Sequence, residues 1–418
     1  LNFARSKTLD PRITFSRTTT ATRVNEQGLV EVVSADIPRF DHEYDPVSGT
    51  VRSLGLLVEE SRITYQTYTE DPSQWNTSNM VSTGNSVTLP TGEVSTTIEY
   101  KGETTDANNK FIRPTVSGSA ITAGDTWTYS GFYKKGTTNG ERYVHIVLQN
   151  NTAGEGIGRR FDFDNGNWAS SLGLNNVTVA DSGFEEYPNG WYRIWMTCTF
   201  PSAAGAVQTF TRLYANSTSI PYDTSFSLWG AQLEKASFYT SYIPNDTGSQ
   251  KTRNPDSVRM EGENFSDWFN TDEGTLHMRI SSTQGPQSGY PRLLMLTPAG
   301  QNSQNNSLQF IHANSSVGLS FALWQGGTIR RGYNKSVTGP EDKENIIFAY
   351  KSDGDTSVYV DGNSLTNTIS ATYAQPVFGR MGIGAYPGGE GTTPRTTIES
   401  LVYYPKRLTN TQLQNLTK

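Results

Sequence analysis

From Trp191 to Phe200 the side chains alternate without a break. Tyr192, Ile194, Met196, Cys198 and Phe200 fall on one side, and Trp191, Arg193 and Trp195 on the other. A period of two suits a strand with one buried face and does not suit a helix. Further strand-like runs are Trp127 to Lys134, Arg142 to Gln149 and Ser225 to Leu233, each bounded by Gly, Asn or Pro. No helical periodicity lies between them, so the chain is expected to be all-β and built from antiparallel sandwiches. The one clear helix signal comes at the end, where Thr409 and Gln412 have capping-box spacing, with Leu408 and Leu413 at the staple positions.

The 418 residues call for two to four domains, since one core stops growing at roughly 250–300 residues. Hydrophobic residues make up 34% and charged residues 18%, and Thr, Ser, Asn and Gly fill the gap as strand and turn formers. Three parts are expected: a segment 1–70 too poor in apolar residues for its own core, a sandwich 71–248, and a second sandwich 256–418. A polar linker from Asn245 to Pro255 should join the last two and be the first place a protease cuts. The net charge of −6, with no block of Lys or Arg, argues against nucleic acid as a partner. No apolar run approaches the roughly 18 residues needed to span a bilayer. Cys198, the single cysteine, has no partner for an intrachain disulfide and reads as a small buried apolar residue.

Signals for catalysis are few. His42, His145, His277 and His312 lie far apart in sequence, with no Ser or Cys nucleophile motif beside them. Zinc-type ligand spacing and a phosphate-cradling glycine loop are missing. Glu59-Glu60, Glu185-Glu186, Glu261 and Glu263 read as solvated or ion-paired surface groups. The sequence therefore reads as that of a non-enzyme with no required cofactor. Asp162 and Asp164, and Asp353 and Asp355, put carboxylates at loop spacings that a structural calcium ion could use, although the same residues form plain turns.

Three blocks in the first module occur in a telling order: Phe15-Ser16-Arg17 with Ala21-Thr22, Pro38-Arg39-Phe40-Asp41, and Gly55-Leu56-Leu57-Val58-Glu59-Glu60-Ser61-Arg62. They resemble a segment that recurs in virion proteins of tailed bacteriophages, such as tail fibres and head or neck appendages. The pattern there continues as Arg-Thr-Asn-Leu-Leu, whereas here Ile63-Thr64-Tyr65 follows Arg62. The block Gly190-Trp191-Tyr192-Arg193, with the run Trp229 to Glu234 and Tyr239 to Pro244, is similar to the carbohydrate-binding jelly rolls of such appendages. The last part, with its Tyr-Val-Asp-Gly hairpin, late strand and final helix, is similar to laminin-G and concanavalin-A-like jelly rolls. The resemblance implies a structural protein on the virion surface, a homo-oligomer and specifically a trimer. Its implied partners are other virion proteins and a bacterial surface polysaccharide. A fibre or cement protein without sugar binding and a polysaccharide hydrolase are the rival readings.

Sugar binding has a physical basis in the strand pattern. Trp191, Arg193 and Trp195 share the side opposite the apolar face, and Tyr143 and His145 hold the corresponding side of another strand. Rings for the pyranose face and an Arg for its hydroxyls would make a glycan platform. Packing into a core or an oligomer interface would use the same residues.

Overall fold

The computed structural model describes the chain apart from residues 104–109, 138–141, 204, 214–223, 284–289, 313–317, 336–342, 370 and 388–393, and apart from the side chains of 170–174, 282 and 283. The described residues are nearly all strand and turn, in two antiparallel β-sandwiches. None of their helices is long and apolar enough to cross a membrane.

In the middle sandwich, one sheet has the order Thr178–Tyr187, Trp191–Thr199, Thr126–Lys135, Ser225–Glu234, Glu99–Gly102, Met80–Ser82. The facing sheet runs Asn167–Asn175, Gly156–Asp162, Tyr143–Asn150, Val207–Leu213, Phe111–Arg113, Asn76–Ser78. The face expected from alternation is the one that packs. Ile194, Met196, Cys198 and Phe200 share a core with Val144, Ile146 and Leu148 of the opposite sheet. Burial pushes the Cys198 thiol up to about 12, which makes it unreactive.

The other sandwich is built from both ends of the chain. One of its sheets contains Glu344–Lys351, Glu273–Thr283 and Thr396–Tyr404, and then continues into Thr50–Val58 and Arg39–Asp45. Leu56 lies opposite Ile398, and Val58 opposite Thr396. In the facing sheet, Thr14–Ser16 forms the edge beside Ser257–Glu261. Phe3, Ile13, Phe40, Leu56 and Val58 therefore pack with Met260, Leu276, Phe310 and Phe348 in one core. Gly55 has φ +100, and a Cβ there would lie 2.1 Å from the Ile398 carbonyl oxygen, so only glycine allows this approach. The final helix, Asn410–Thr417, starts on the Thr409–Gln412 capping box and seats Leu413 on Ile347 and Ala349.

This topology corrects the expected three-part division. The first segment is no separate module: its few apolar residues complete a core whose remaining strands lie at the far end of the chain. The middle sandwich is inserted between them. The expected linker is corrected too. Lys251–Arg253 pairs with Arg62–Thr64, and Asn245 and Arg253 are buried, which leaves only 246–250 as a continuous exposed run.

A buried ion network closes the junction. Arg39 donates from Nη1 to Glu59 Oε2 (2.8 Å) and from Nη2 to Asp256 Oδ2 (2.5 Å). Arg253 Nη1 donates to the same Glu59 oxygen (2.7 Å), and Arg17 Nη1 to Asp256 Oδ1 (3.0 Å). All five side chains are 0% exposed. Ser241, on the exit from the middle sandwich, donates to Glu59 from its backbone N–H (2.8 Å) and its hydroxyl (2.6 Å). Burial alone would push the Glu59 carboxyl up. Arg253, Arg39 and Arg395 outweigh it and hold the carboxyl well below the usual carboxylate range.

Two outcomes follow from this construction. A fragment 256–418 lacks the strands that complete both sheets, and should be unfolded or aggregated by circular dichroism and light scattering. A cooperative thermal transition from that fragment alone would contradict the shared core. Removing one partner of a buried pair leaves an uncompensated charge, so Arg39→Met or Glu59→Gln should cost roughly 3–5 kcal/mol in denaturant titrations. Because the folded-state pKa of Glu59 is depressed, its contribution is fully present above an ordinary value of about 4.3 and fades as pH falls below it. Glu59→Gln should therefore flatten the acid limb of the stability profile.

Candidate functional site

The strand Trp191–Thr199 turns its non-core side toward the junction rather than toward solvent. Trp191 is fully buried with Phe132, Tyr187, Trp229 and Tyr242, against Val30 of an N-terminal hairpin in which Ala21–Val24 pairs with Val30–Val33, and its Nε1 donates to the Thr88 carbonyl (2.8 Å). Arg193 is buried between the rings of Tyr239 (4.6 Å) and Phe132 (5.3 Å), and donates to the Thr240 carbonyl (2.7 Å) and to Ser130 Oγ (3.2 Å). Trp195 is half-buried, its ring 4.4 Å from that of Tyr239 and its Nε1 on Asp181 Oδ2 (2.9 Å). The expected platform is corrected for Trp191 and Arg193. Alternation puts them on the right side of the sheet, but the N-terminal hairpin and the Tyr239–Ile243 exit cover that side.

Tyr143 and His145 lie on the non-core side of the facing sheet, so the structure does not join them to Trp191, Arg193 and Trp195 in the one face that the sequence anticipated. Cross-strand register aligns Arg160, His145, Arg212 and Phe111 in one row over four adjacent strands. The next row carries Gly158, Val147 and Phe210, with Arg113 on the neighbouring strand. Tyr143 flanks the first row opposite Asp162. All of these point away from the core, because the alternate residues Val144, Ile146, Leu148, Ile112 and Leu213 line it. The guanidinium groups lie over rings: Arg142 and Arg160 over Tyr143 (5.0 and 5.2 Å), Arg212 and Arg113 over Phe210 (5.3 and 5.7 Å). Tyr143, Phe111, Arg113 and Arg212 are partly exposed, whereas His145, Arg160 and Phe210 are buried beside them. Burial, then Arg212 and Arg160, pushes the His145 imidazole down to about 4, so it is neutral at physiological pH. The sequence reading missed Arg160, Arg212, Phe210, Phe111 and Arg113. Alternation within each strand could have put them on one face, but the order in which the strands pair could not be read.

The four aspartates of the calcium reading lie at two turns. Asp162 is engaged by Arg142 (2.7 Å) and by the turn N–H of Asp164, and Asp164 pairs with Lys135 (2.6 Å). Asp353 accepts from the N–H of Asp355, whose own carboxylate meets Arg407 (3.0 Å). These are turns closed by ion pairs. Among the described residues, no group of three or more His, Cys, Asp or Glu gathers as a metal would need.

A second feature lies at the junction, a cleft of about 160 Å³ lined by Asp41, His42, Tyr44, Glu185, Glu186, Tyr187 and Arg395 among others. Glu185 and Glu186 were expected as solvated or ion-paired surface groups. Both are partly exposed; Glu185 pairs with Arg395 (3.7 Å) and accepts from the Tyr239 hydroxyl, and burial pushes the carboxyl of Glu186 up. Burial also pushes up Asp41, against the pull of Arg395.

No family model and no curated protein matches this sequence. Among solved structures, the chain is similar to the sialidase of Trypanosoma rangeli, with a TM-score of 0.30 and 14% identity. The match covers 76% of this chain and 60% of that one, so this chain spans only part of the sialidase's length. It is also similar to domains LG4-5 of the mouse laminin α1 chain, with a TM-score of 0.24 and 9% identity, over 83% and 89% of the two chains. The expectation of a non-enzyme is corrected here, because the sialidases that this chain resembles are enzymes. Overlaps this loose assign no reaction to this chain.

Because Trp191 fills a core and Trp195 an edge, their truncations should separate. Trp191→Ala should cost roughly 3–5 kcal/mol in denaturant titrations, as for a buried Trp, and Trp195→Ala distinctly less. Equal and small losses would mean that Trp191 is not the core residue described.

Proposed function

We propose that this chain is a glycan-binding surface protein, and that it binds on the outer sheet face carrying Tyr143, His145, Arg160, Arg212, Phe111, Phe210 and Arg113. The observation that carries this reading is the register of that face, which lays aromatic rings and planar guanidinium groups side by side over four strands. Rings can stack on the apolar face of a pyranose, and Arg N–H groups can donate to its oxygens. The reading extends to the setting that the three N-terminal blocks resemble: a bacteriophage virion surface, other virion proteins as neighbours, and a bacterial surface polysaccharide as ligand. A trimer is part of this proposal and rests on that resemblance. The apolar poverty of the first segment no longer argues for it, because that segment completes a core within its own chain. Repeated copies on a particle would raise weak single-site affinity by avidity.

The test uses the full chain and a panel of bacterial surface polysaccharides. Tyr143→Ala and Phe111→Ala, both partly exposed, should each weaken binding about tenfold, or about 1.4 kcal/mol, with little change in thermal midpoint. Unchanged binding by both variants would remove this face from the reading. Release of reducing ends during the same incubations would show a hydrolase.

A further inference from the structure

We infer that this outer face takes the interior of a linear polysaccharide, with several consecutive sugars laid across the strands, and not a chain end or a single sugar. This rests on the glycan-binding reading above and names the form in which the ligand is recognised.

Ring contact is available at two separated points. Tyr143 and Phe111 are partly exposed, whereas Phe210, 5.5 Å from Phe111, is buried. His145, Arg212 and Phe111 lie opposite one another on three adjacent strands, and Tyr143 stands two residues before His145. A strand spacing of about 4.8 Å and a rise of about 3.4 Å per residue therefore set Tyr143 and Phe111 about 12 Å apart. One pyranose ring cannot cover both. A chain of sugars crossing the strands can.

Polar groups continue in the same direction. The edge strand Asn76–Ser78 extends the two rows, with Ser78 opposite Phe111 and Asn76 opposite Arg113. Asn76 is exposed, and Ser78, Arg113 and Arg212 are partly exposed. Beyond the row of Val147 and Phe210, Gln149 lies opposite Gln208, and both are partly exposed. From the strand Gly156–Asp162 to the strand Asn76–Ser78 the first row crosses four strand spacings, about 19 Å. A lone sugar on this strip would meet one ring and a few of these groups. A chain would meet both rings and the polar groups between and beyond them, so affinity grows with length. A site for a lone sugar or a chain end encloses most of its ligand, whereas these residues form rows on a sheet face.

The experiment uses the full chain, the polysaccharides of the panel above, and ladders of one to eight sugars cut from each. For the polysaccharide that binds most tightly, affinity should rise at least tenfold from the two-sugar to the six-sugar fragment. The intact polymer should take up protein copies in proportion to its length, read by light scattering at saturation. Tyr143→Ala and Phe111→Ala should each weaken binding of the six-sugar fragment about tenfold, and together about a hundredfold, because contacts this far apart act independently. Asn76→Ala, at an exposed edge position, should weaken it a few fold with no change in thermal midpoint, and remains informative if Phe111→Ala fails to fold. A one- or two-sugar fragment that binds as tightly as the six-sugar fragment would overturn the inference and leave the glycan reading standing. So would a ceiling of one or two copies per polymer whatever its length, which marks chain-end recognition. Loss from only one of the two ring variants would confine the ligand to one ring and overturn the inference as well. Binding to no polysaccharide and no fragment would overturn both.

Discussion

The architecture depends on one buried arrangement, in which Arg39 bridges Glu59 and Asp256 while Arg253 and Arg17 close it from either side. Glu59 directly follows the strand Thr50–Val58 of the composite sandwich, Asp256 precedes the strand that returns to it, and Ser241 leaves the inserted sandwich. A charge taken this far from water is tolerated only when its partners and hydrogen bonds are in place. The network therefore forms only when all three stretches are correctly positioned. It couples the inserted sandwich to a fold assembled from the two ends of the chain.

This gives a physical account of the sequence blocks that suggested a virion protein. Arg17, Arg39 and Glu59 are ion partners, Asp41 caps the Val24 N–H (2.7 Å), and Gly55 permits the close approach to Ile398. The second set of blocks is wiring of the same kind. Gln232 and Glu234 hold Ile243 and Thr240 by hydrogen bonds of 2.6–2.9 Å, and Trp191 and Trp229 fill the core beneath. What the resemblance picks out is thus the junction. The outer face lies across the sandwich and carries none of those blocks except through the strands they support.

The site was legible only in part. Tyr143 and His145 were placed on the side opposite Val144, Ile146 and Leu148, and the structure keeps them there with Arg160 and Arg212 beside them. Trp191 and Arg193 were placed on the correct side of their strand by the same argument, yet that side is covered. Alternation gives the two faces of a strand, and only the neighbouring elements decide which of them water reaches. The inertness of Cys198 was also readable, because it lies in phase with Ile194, Met196 and Phe200.

The sequence by itself determined an all-β chain with strands at Trp191–Thr199, Tyr143–Asn150 and Ser225–Glu234, a capped final helix, and the inward face of each central strand. These are local properties, set by side-chain period and turn chemistry within a few residues. Tertiary structure decided that Arg39–Asp45 and Thr50–Val58 join Thr396–Tyr404 in one sheet, and that Arg253 is buried rather than part of a tether. It also decided that five carboxylates and arginines far apart in the chain meet at one point, and that Arg113, Arg160 and Arg212 share a face. These contacts join residues well separated in the chain, so no local pattern encodes them. They are fixed by which edges pair and by the need to match every buried charge.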